Sequence, residues 1–312
     1  MLIEQMYVLT SELENVAKEN CNESLELRES SLASLKAWLK KAPHLKARTN
    51  DELLLSFLRC SRYSLEDTKK RIDGFYSLKN VFPEVLSNRN IDDSLMDLYN
   101  QGIHTIPIKP LSPNGPRIII SQYSKYDPKK SNPRDAFKLL FMLLEILANE
   151  DPNTSVAGVA YVIDARDVTM EQMLQYDPYL LKKTWTLVEH CLPIRFTEIH
   201  LINMRKEGQA IFNFVTTFLP AKMPVKFVVH KKAEDLYDHL PRDCMTVEYG
   251  GHNGYQPEAL KHWENVMLKY KDYFADDDNY GTNEKLRSGI MASAEVSELT
   301  GLSGSFRKLE VD

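Results

Sequence analysis

The chain has 312 residues, of which 43% are hydrophobic and 27% charged, and its formal net charge is -5. That length suits one large domain or a large and a small one, with enough apolar residues for a sizeable core. The negative charge excludes a nucleic-acid binder that relies on overall positive charge, while leaving room for a local basic patch.

The start, Met1-Leu-Ile-Glu-Gln-Met-Tyr, has an early acid and no long apolar run, which is not the pattern of a secretory signal. Cys21, Cys60, Cys191 and Cys244 lie far apart, with no CxxC and no Cys/His grouping of zinc spacing. Free thiols, no metal site and no cofactor are expected. Asn22-Glu-Ser24 and Asn153-Thr-Ser155 match the glycosylation pattern; without a secretory signal both read as chance.

In chain order, Leu25, Leu32, Leu35 and Leu39 recur at helical spacing within 23–41. Thr49-Asn-Asp-Glu52 has the form of a capping box ahead of Leu53-Leu-Leu-Ser-Phe-Leu58. Ser64-Leu-Glu-Asp67 opens a further helix to about residue 80, and Pro83 breaks the pattern. These segments predict a helical bundle over 1–92. Pro107, Pro110, Pro113 and Pro116 then mark a change of character. Short apolar runs at 117–123, 158–164, 198–203 and 225–229 read as strands, separated by helical stretches at 133–149, 171–190 and 207–219. Such alternation predicts an α/β domain over 93–275 with a mostly parallel sheet, closed by a helix over 257–274. From Asp276-Asp-Asp278 the chain is acidic, then rich in Ser, Gly and Glu, so 276–312 reads as a flexible acidic tail.

Two of these helices are unusual. The stretch 135–148 is apolar nearly all round, interrupted by Lys138 and Glu145, and too short to cross a bilayer. A helix of that kind is buried on every side, either as a central core helix or with one side lining a lipid cavity. In 207–219, Ile211, Phe214, Val215, Phe218 and Leu219 form one apolar stripe, which Phe212 widens. Arg205 and Lys206 precede it, and Lys222 and Lys226 follow it. An apolar face between basic ends suits a packed surface helix, or a gate that touches anionic headgroups with Gly208 as its hinge.

No GxGxxG, GxxxxGK[ST], GxSxG or HExxH occurs. Asp164, Arg166 and Asp167 follow a parallel strand, where catalytic acids often sit, but a structural ion pair explains them as well. His190 and Cys191, adjacent on a helix, point in different directions. His200 reads as a satisfied buried histidine. No catalytic residue is assigned, and an enzyme is not expected.

Taken in order, Leu54-Leu-Ser-Phe-Leu-Arg59, Tyr126-Asp-Pro-Lys129, Gly158 to Asp164, Ile199-His-Leu-Ile-Asn203, Phe218-Leu219 through Lys222, and Glu248-Tyr-Gly-Gly251 resemble the CRAL-TRIO family of lipid-transfer proteins, in its tocopherol-transfer and retinaldehyde-binding branch. The resemblance covers roughly 25–275. It implies an N-terminal helical domain, an α/β lipid-binding domain and a mobile gate helix carrying Ile211, Phe212, Phe214, Val215 and Phe218. It also implies a pocket of Phe137, Leu140, Phe141, Leu144, Val159, Ile163, Leu187, Val188, Leu192, Phe196, Ile199, Val215 and Leu219. Leu140 and Leu144 stand where the tocopherol-transfer branch has serines, which implies a more uniformly apolar ligand than α-tocopherol, or polar contacts elsewhere. A basic phosphoinositide site would use Arg195, Lys222 and Lys226, with Arg62 beside Ser61, and Thr197 where a further basic residue is lost. The implied function is an intracellular carrier of a tocopherol-, retinoid- or carotenoid-like lipid, cytoplasmic and transiently on phosphoinositide-containing membranes. The alternative is a lipid-sensing adaptor that recruits a protein partner through its acidic tail without net transfer.

Overall fold

A computed structural model describes residues 9–205, 209, 212, 225–288 and 294–305. The N-terminal part is helical: α1 (Ser11–Cys21), α2 (Leu25–Lys40), α3 (Asp51–Cys60), α4 (Leu65–Val81), α5 (Pro83–Leu86) and α6 (Asp93–Asn100). Thr10, Ser24, Ser64 and Asp92 cap α1, α2, α4 and α6 by accepting a backbone N–H that the helix leaves unpaired. The capping box expected at 49–52 does not form. Helix α3 starts behind Asn50, whose side chain makes no cap bond. That amide instead donates to Asn149 Oδ1 at 2.6 Å, tying α3 to the end of α7 (Pro133–Glu150). Arg59, buried at the end of α3, donates to Glu23 Oε2 at 2.7 Å and to Ser155 Oγ at 2.8 Å. It thereby joins the bundle to α8 (Pro152–Ala157).

The sheet has strand order β2-β3-β4-β5-β6. Its members are β2 (His104–Thr105), β3 (Arg117–Ser121), β4 (Val159–Asp164), β5 (Phe196–Ile202) and β6 (Lys226–Val229). Strands β3 to β6 run parallel, as expected, and β2 adds an antiparallel edge. Alternation along each strand sends side chains to two buried faces. Ile119, Tyr161 and Ile199 join the core that contains α7, while Ile118, Ile120, Ala160, Val162 and Ile202 pack on Leu236, Leu240, Cys244 and Met245. Gly158, entering β4 at φ +94°, leaves no room for a side chain, because a Cβ there would stand 2.6 Å from the Arg195 carbonyl oxygen.

Three expectations are corrected. The stretch 171–190 is three pieces: α9 (Met170–Leu174), α10 (Pro178–Thr186) and a π-helical turn, Leu187–Cys191. Asp177 caps α10 and Pro178 takes its first turn, which starts a new helix rather than continuing the old one. The closing helix is two, α11 (Gln256–Lys269) and α12 (Lys271–Ala275).

The third correction concerns the acidic tail, whose described part is anchored to the body at several points, although Asp276, Asp278 and residues 283–286 stay exposed. Asp277 is 1% exposed. Strand β7 (Gly281–Thr282) pairs with β1 (Leu45–Lys46). Arg287 donates to both Asp73 oxygens, at 2.6 and 2.7 Å. Val296 and Leu299 on α13 (Ala294–Ser305) are buried in the main core. The partners of these groups are distant in sequence, which is why composition alone reads as a loose tail.

Candidate functional site

Helix α7 is the central element. Asn132 and Asp135 close a capping box at its start, with the Arg134 N–H on Asn132 Oδ1 at 2.9 Å and the Asn132 N–H on Asp135 Oδ2 at 3.0 Å. Phe137, Leu140, Phe141 and Leu144 on α7 are buried in one apolar cluster with Val159, Leu187, Leu192, Phe196 and Ile199, and Ile163 and Val188 pack half-buried against it. The structure thus brings together eleven of the thirteen expected pocket residues. Val215 and Leu219 lie outside the described residues, as do Ile211, Phe214, Phe218 and Lys222 of the expected gate and basic site. Phe212 is helical and half-buried.

A string of polar groups borders the cluster. His104 Nδ1 lies 2.6 Å from Ser121 Oγ, the Tyr161 hydroxyl donates to Ser121 Oγ at 2.8 Å, and the Tyr123 and Tyr161 hydroxyls are 2.9 Å apart. Burial pushes His104 down to about 4 and Tyr161 up to about 12, so the string is uncharged near neutral pH. Sequence reading missed this string, because its members are scattered and each is an ordinary residue alone.

The turn Leu187–Cys191 has two sides. Leu187 and Val188 belong to the apolar cluster, while His190 lines a surface cleft of about 520 Å³ with Cys60, Ser61, Arg62, Asp67, Lys70, Arg71 and Glu295. Arg71 donates to the Leu192 and Glu189 carbonyls, each at 2.9 Å, and so fastens α4 to this turn. Of the expected basic residues, Arg62 and Arg195 meet at one carbonyl, that of Asn20, at 3.1 and 3.4 Å. Lys226 is engaged elsewhere, with Glu198 Oε1 at 3.0 Å. Lys70 and Arg71 were missed, although the basic run Lys69-Lys-Arg71 is visible in the sequence.

The candidates for catalysis have structural roles. Asp164 is buried, and its Oδ1 accepts from Asn203 Nδ2 at 2.8 Å and the Arg166 N–H at 3.0 Å. Its Oδ2 accepts from the Tyr249 hydroxyl at 2.9 Å and faces the Arg166 guanidinium at 3.1 Å. Cys191 is fully buried, and burial pushes its thiol up, which keeps it from acting as a thiolate nucleophile. Three motifs that are remote in sequence therefore meet at Asp164: the end of β4, Asn203 after β5 and Tyr249-Gly-Gly251. Gly251 is required there, since a Cβ would fall 2.0 Å from the Met245 carbonyl oxygen.

Comparison with known proteins agrees with this assembly. Residues 105–251 match the CRAL/TRIO domain, and residues 24–96 match the Pinta-like UBA domain. The chain is 24% identical over 300 residues to mouse "Alpha-tocopherol transfer protein-like", covering 93% of this chain and 86% of that protein. It is 22% identical over 227 residues to Clavesin-1 of Xenopus laevis, covering 71% and 66% of the two chains. The crystal structure of Sfh5 aligns over 96% of this chain and 99% of its own, at 12% identity and a TM-score of 0.45. Among the described residues no helix is long and apolar enough to cross a membrane. The two matched domains in this order, with the motifs converging on Asp164, show that the chain belongs to the CRAL-TRIO family, whose members bind and transfer lipids and are not enzymes.

Proposed function

We propose that this protein carries one tocopherol-, retinoid- or carotenoid-like lipid against α7 and the front of the sheet, and exchanges it at phosphoinositide-containing membranes. The observation that carries the reading is the turn Leu187–Cys191. It contributes Leu187 to the apolar cluster and His190 to the cleft of Arg62, Lys70 and Arg71. A single turn thus joins the apolar cluster to a cleft that holds three basic residues beside Asp67 and Glu295, and π-helical turns are frequent at functional sites. The apolar residues expected to line the site suit a hydrocarbon-rich ligand, with the Tyr123–Tyr161 string as its polar border, and the names of the tocopherol-transfer-like relatives point the same way. The adaptor alternative loses support, because Asp277 of its supposed contact segment is buried and Asp278 accepts from the Asn88 N–H at 3.2 Å.

The membrane half of this reading is tested with Arg62→Glu combined with Lys70→Glu, both exposed positions. Each basic residue near an anionic bilayer contributes about 1 kcal/mol. Reversing two of them is expected to weaken binding to phosphatidylinositol bisphosphate vesicles by at least about 2 kcal/mol, roughly 30-fold. Added salt weakens the wild type in the same direction, and lipid affinity in solution stays unchanged. Equal vesicle binding by wild type and double variant would sink the headgroup site. Vesicle binding without accelerated lipid transfer between vesicles would favour the adaptor.

A further inference from the structure

On the face of the sheet turned away from the apolar cluster, four side chains meet that the lipid function leaves unused. Glu198 and His200 stand two residues apart on β5 and so project from the same face. His230 follows β6, its N–H on the Leu201 carbonyl at 2.9 Å, and His239 follows the short helical turn Ala233–Asp238. The ring centroids of the three histidines are 5.2 to 5.3 Å apart.

The geometry points to a binding site for one divalent transition-metal ion of the zinc class, held by Glu198, His200 and His239. The ligating atoms of the three lie within 4.8 Å of one another. His200 Nε2 is 3.2 Å and His239 Nδ1 is 3.7 Å from Glu198 Oε2. Donors about 2.1 Å from a tetrahedral ion stand roughly 3.4 Å apart, a value that these two separations bracket. Two imidazoles and a carboxylate, with water in the fourth position, form a donor set that zinc accepts.

Three features support a cation there. His200 is wholly buried, yet its Nε2 has no hydrogen bond among the described residues, despite facing the carboxylate. Its Nδ1 lies 3.0 Å from His230 Nε2. When His200 donates through Nδ1, the Nε2 lone pair stands 3.2 Å from a carboxylate oxygen without a proton between them, and that repulsion is relieved by a cation that both can reach. A ligating histidine that donates its other N–H to a neighbour has the orientation metal sites use. Finally, Lys226 occupies only Oε1 of Glu198, so Oε2 remains turned toward the histidines. His239 is exposed, giving the ion a path from solvent.

The test is titration of chelator-stripped full-length protein with Zn2+, followed by calorimetry. One equivalent is expected to bind in wild type. His239→Ala, at an exposed position, and Glu198→Gln, of equal shape, are each expected to weaken it at least about tenfold, the lower end of what lost supporting groups cost metal sites. Thermal unfolding of both variants in chelator checks that they are folded. Absence of saturable 1:1 binding in wild type, or undiminished binding in either folded variant, overturns the site.

Discussion

Asp277→Asn is expected to destabilise the protein by about 3–5 kcal/mol, the usual cost of breaking a buried ion pair by removing one partner. Asp277 accepts from Lys79 Nζ at 2.9 Å and from Arg89 Nε at 2.9 Å, with Arg89 Nη2 at 2.8 Å. Arg89 also holds Glu145 at 2.6 Å, and Glu145 accepts from the Tyr273 hydroxyl at 2.6 Å. All these charges are nearly or fully buried, as is Arg48, 3.7 Å from Asp277 Oδ1, so the variant leaves three cations near the single carboxylate of Glu145. At roughly 2.1 cal/mol/K per residue, 4 kcal/mol lowers the unfolding midpoint by about 6 °C. Burial alone would raise the Asp277 carboxyl, but the Arg89 guanidinium and the Lys79 ammonium outweigh it and hold the carboxyl below its ordinary value. A depressed folded-state value stabilises the protein above the unfolded one, about 4, and is lost as pH falls through the folded one. Calorimetry should therefore show the full gap between wild type and variant at pH 7, closing progressively below about pH 4. A midpoint unchanged at pH 7 would mean that the C-terminal segment is not locked as described.

That network also shows where sequence reading stops. The four parallel strands were legible because each is a short apolar run between turn signals. Helix α7 was legible because almost no polar residue interrupts it. The residues on α7, β4 and β5 that the family resemblance assigns to a pocket lie in one buried cluster, but the apolar runs alone do not single them out. The break at Asp177-Pro178 carried a signal, a helix start at proline, that the apolar periodicity of the flanking residues obscured. Asp277 carried none, because its meaning lies in Lys79 and Arg89, nearly two hundred residues away. The histidine cluster was invisible for a related reason. Glu198, His200, His230 and His239 have no metal spacing in sequence, and only the parallel register of β5 against β6 brings them together. The basic cleft was half legible: Lys69-Lys-Arg71 is an evident charge run, but its place beside Leu187–Cys191 is a tertiary fact.

Leu144→Asp is expected to weaken lipid retention roughly 30-fold or more. Leu144 is fully buried on α7 among Phe141, Leu140 and the front-face residues of β4 and β5. In the lipid-free state, water entering the proposed lipid site can hydrate an added carboxyl. A bound hydrocarbon expels that water and leaves the group unpaired in apolar surroundings. Even a protonated carboxyl then costs at least about 2 kcal/mol, so retention falls roughly 30-fold or more. Because a charge at a wholly buried position also threatens folding, the substitution is paired with Ile163→Trp. Ile163 is half-buried on β4 against the same cluster, and tryptophan there fills space without adding charge. Mass spectrometry of organic extracts, scaled to folded protein by calorimetry, is expected to show depletion in both variants. Depletion only in Leu144→Asp, together with a collapsed unfolding transition, would trace the loss to folding. A full complement of lipid in either folded variant would remove α7 and the front of the sheet from the binding site.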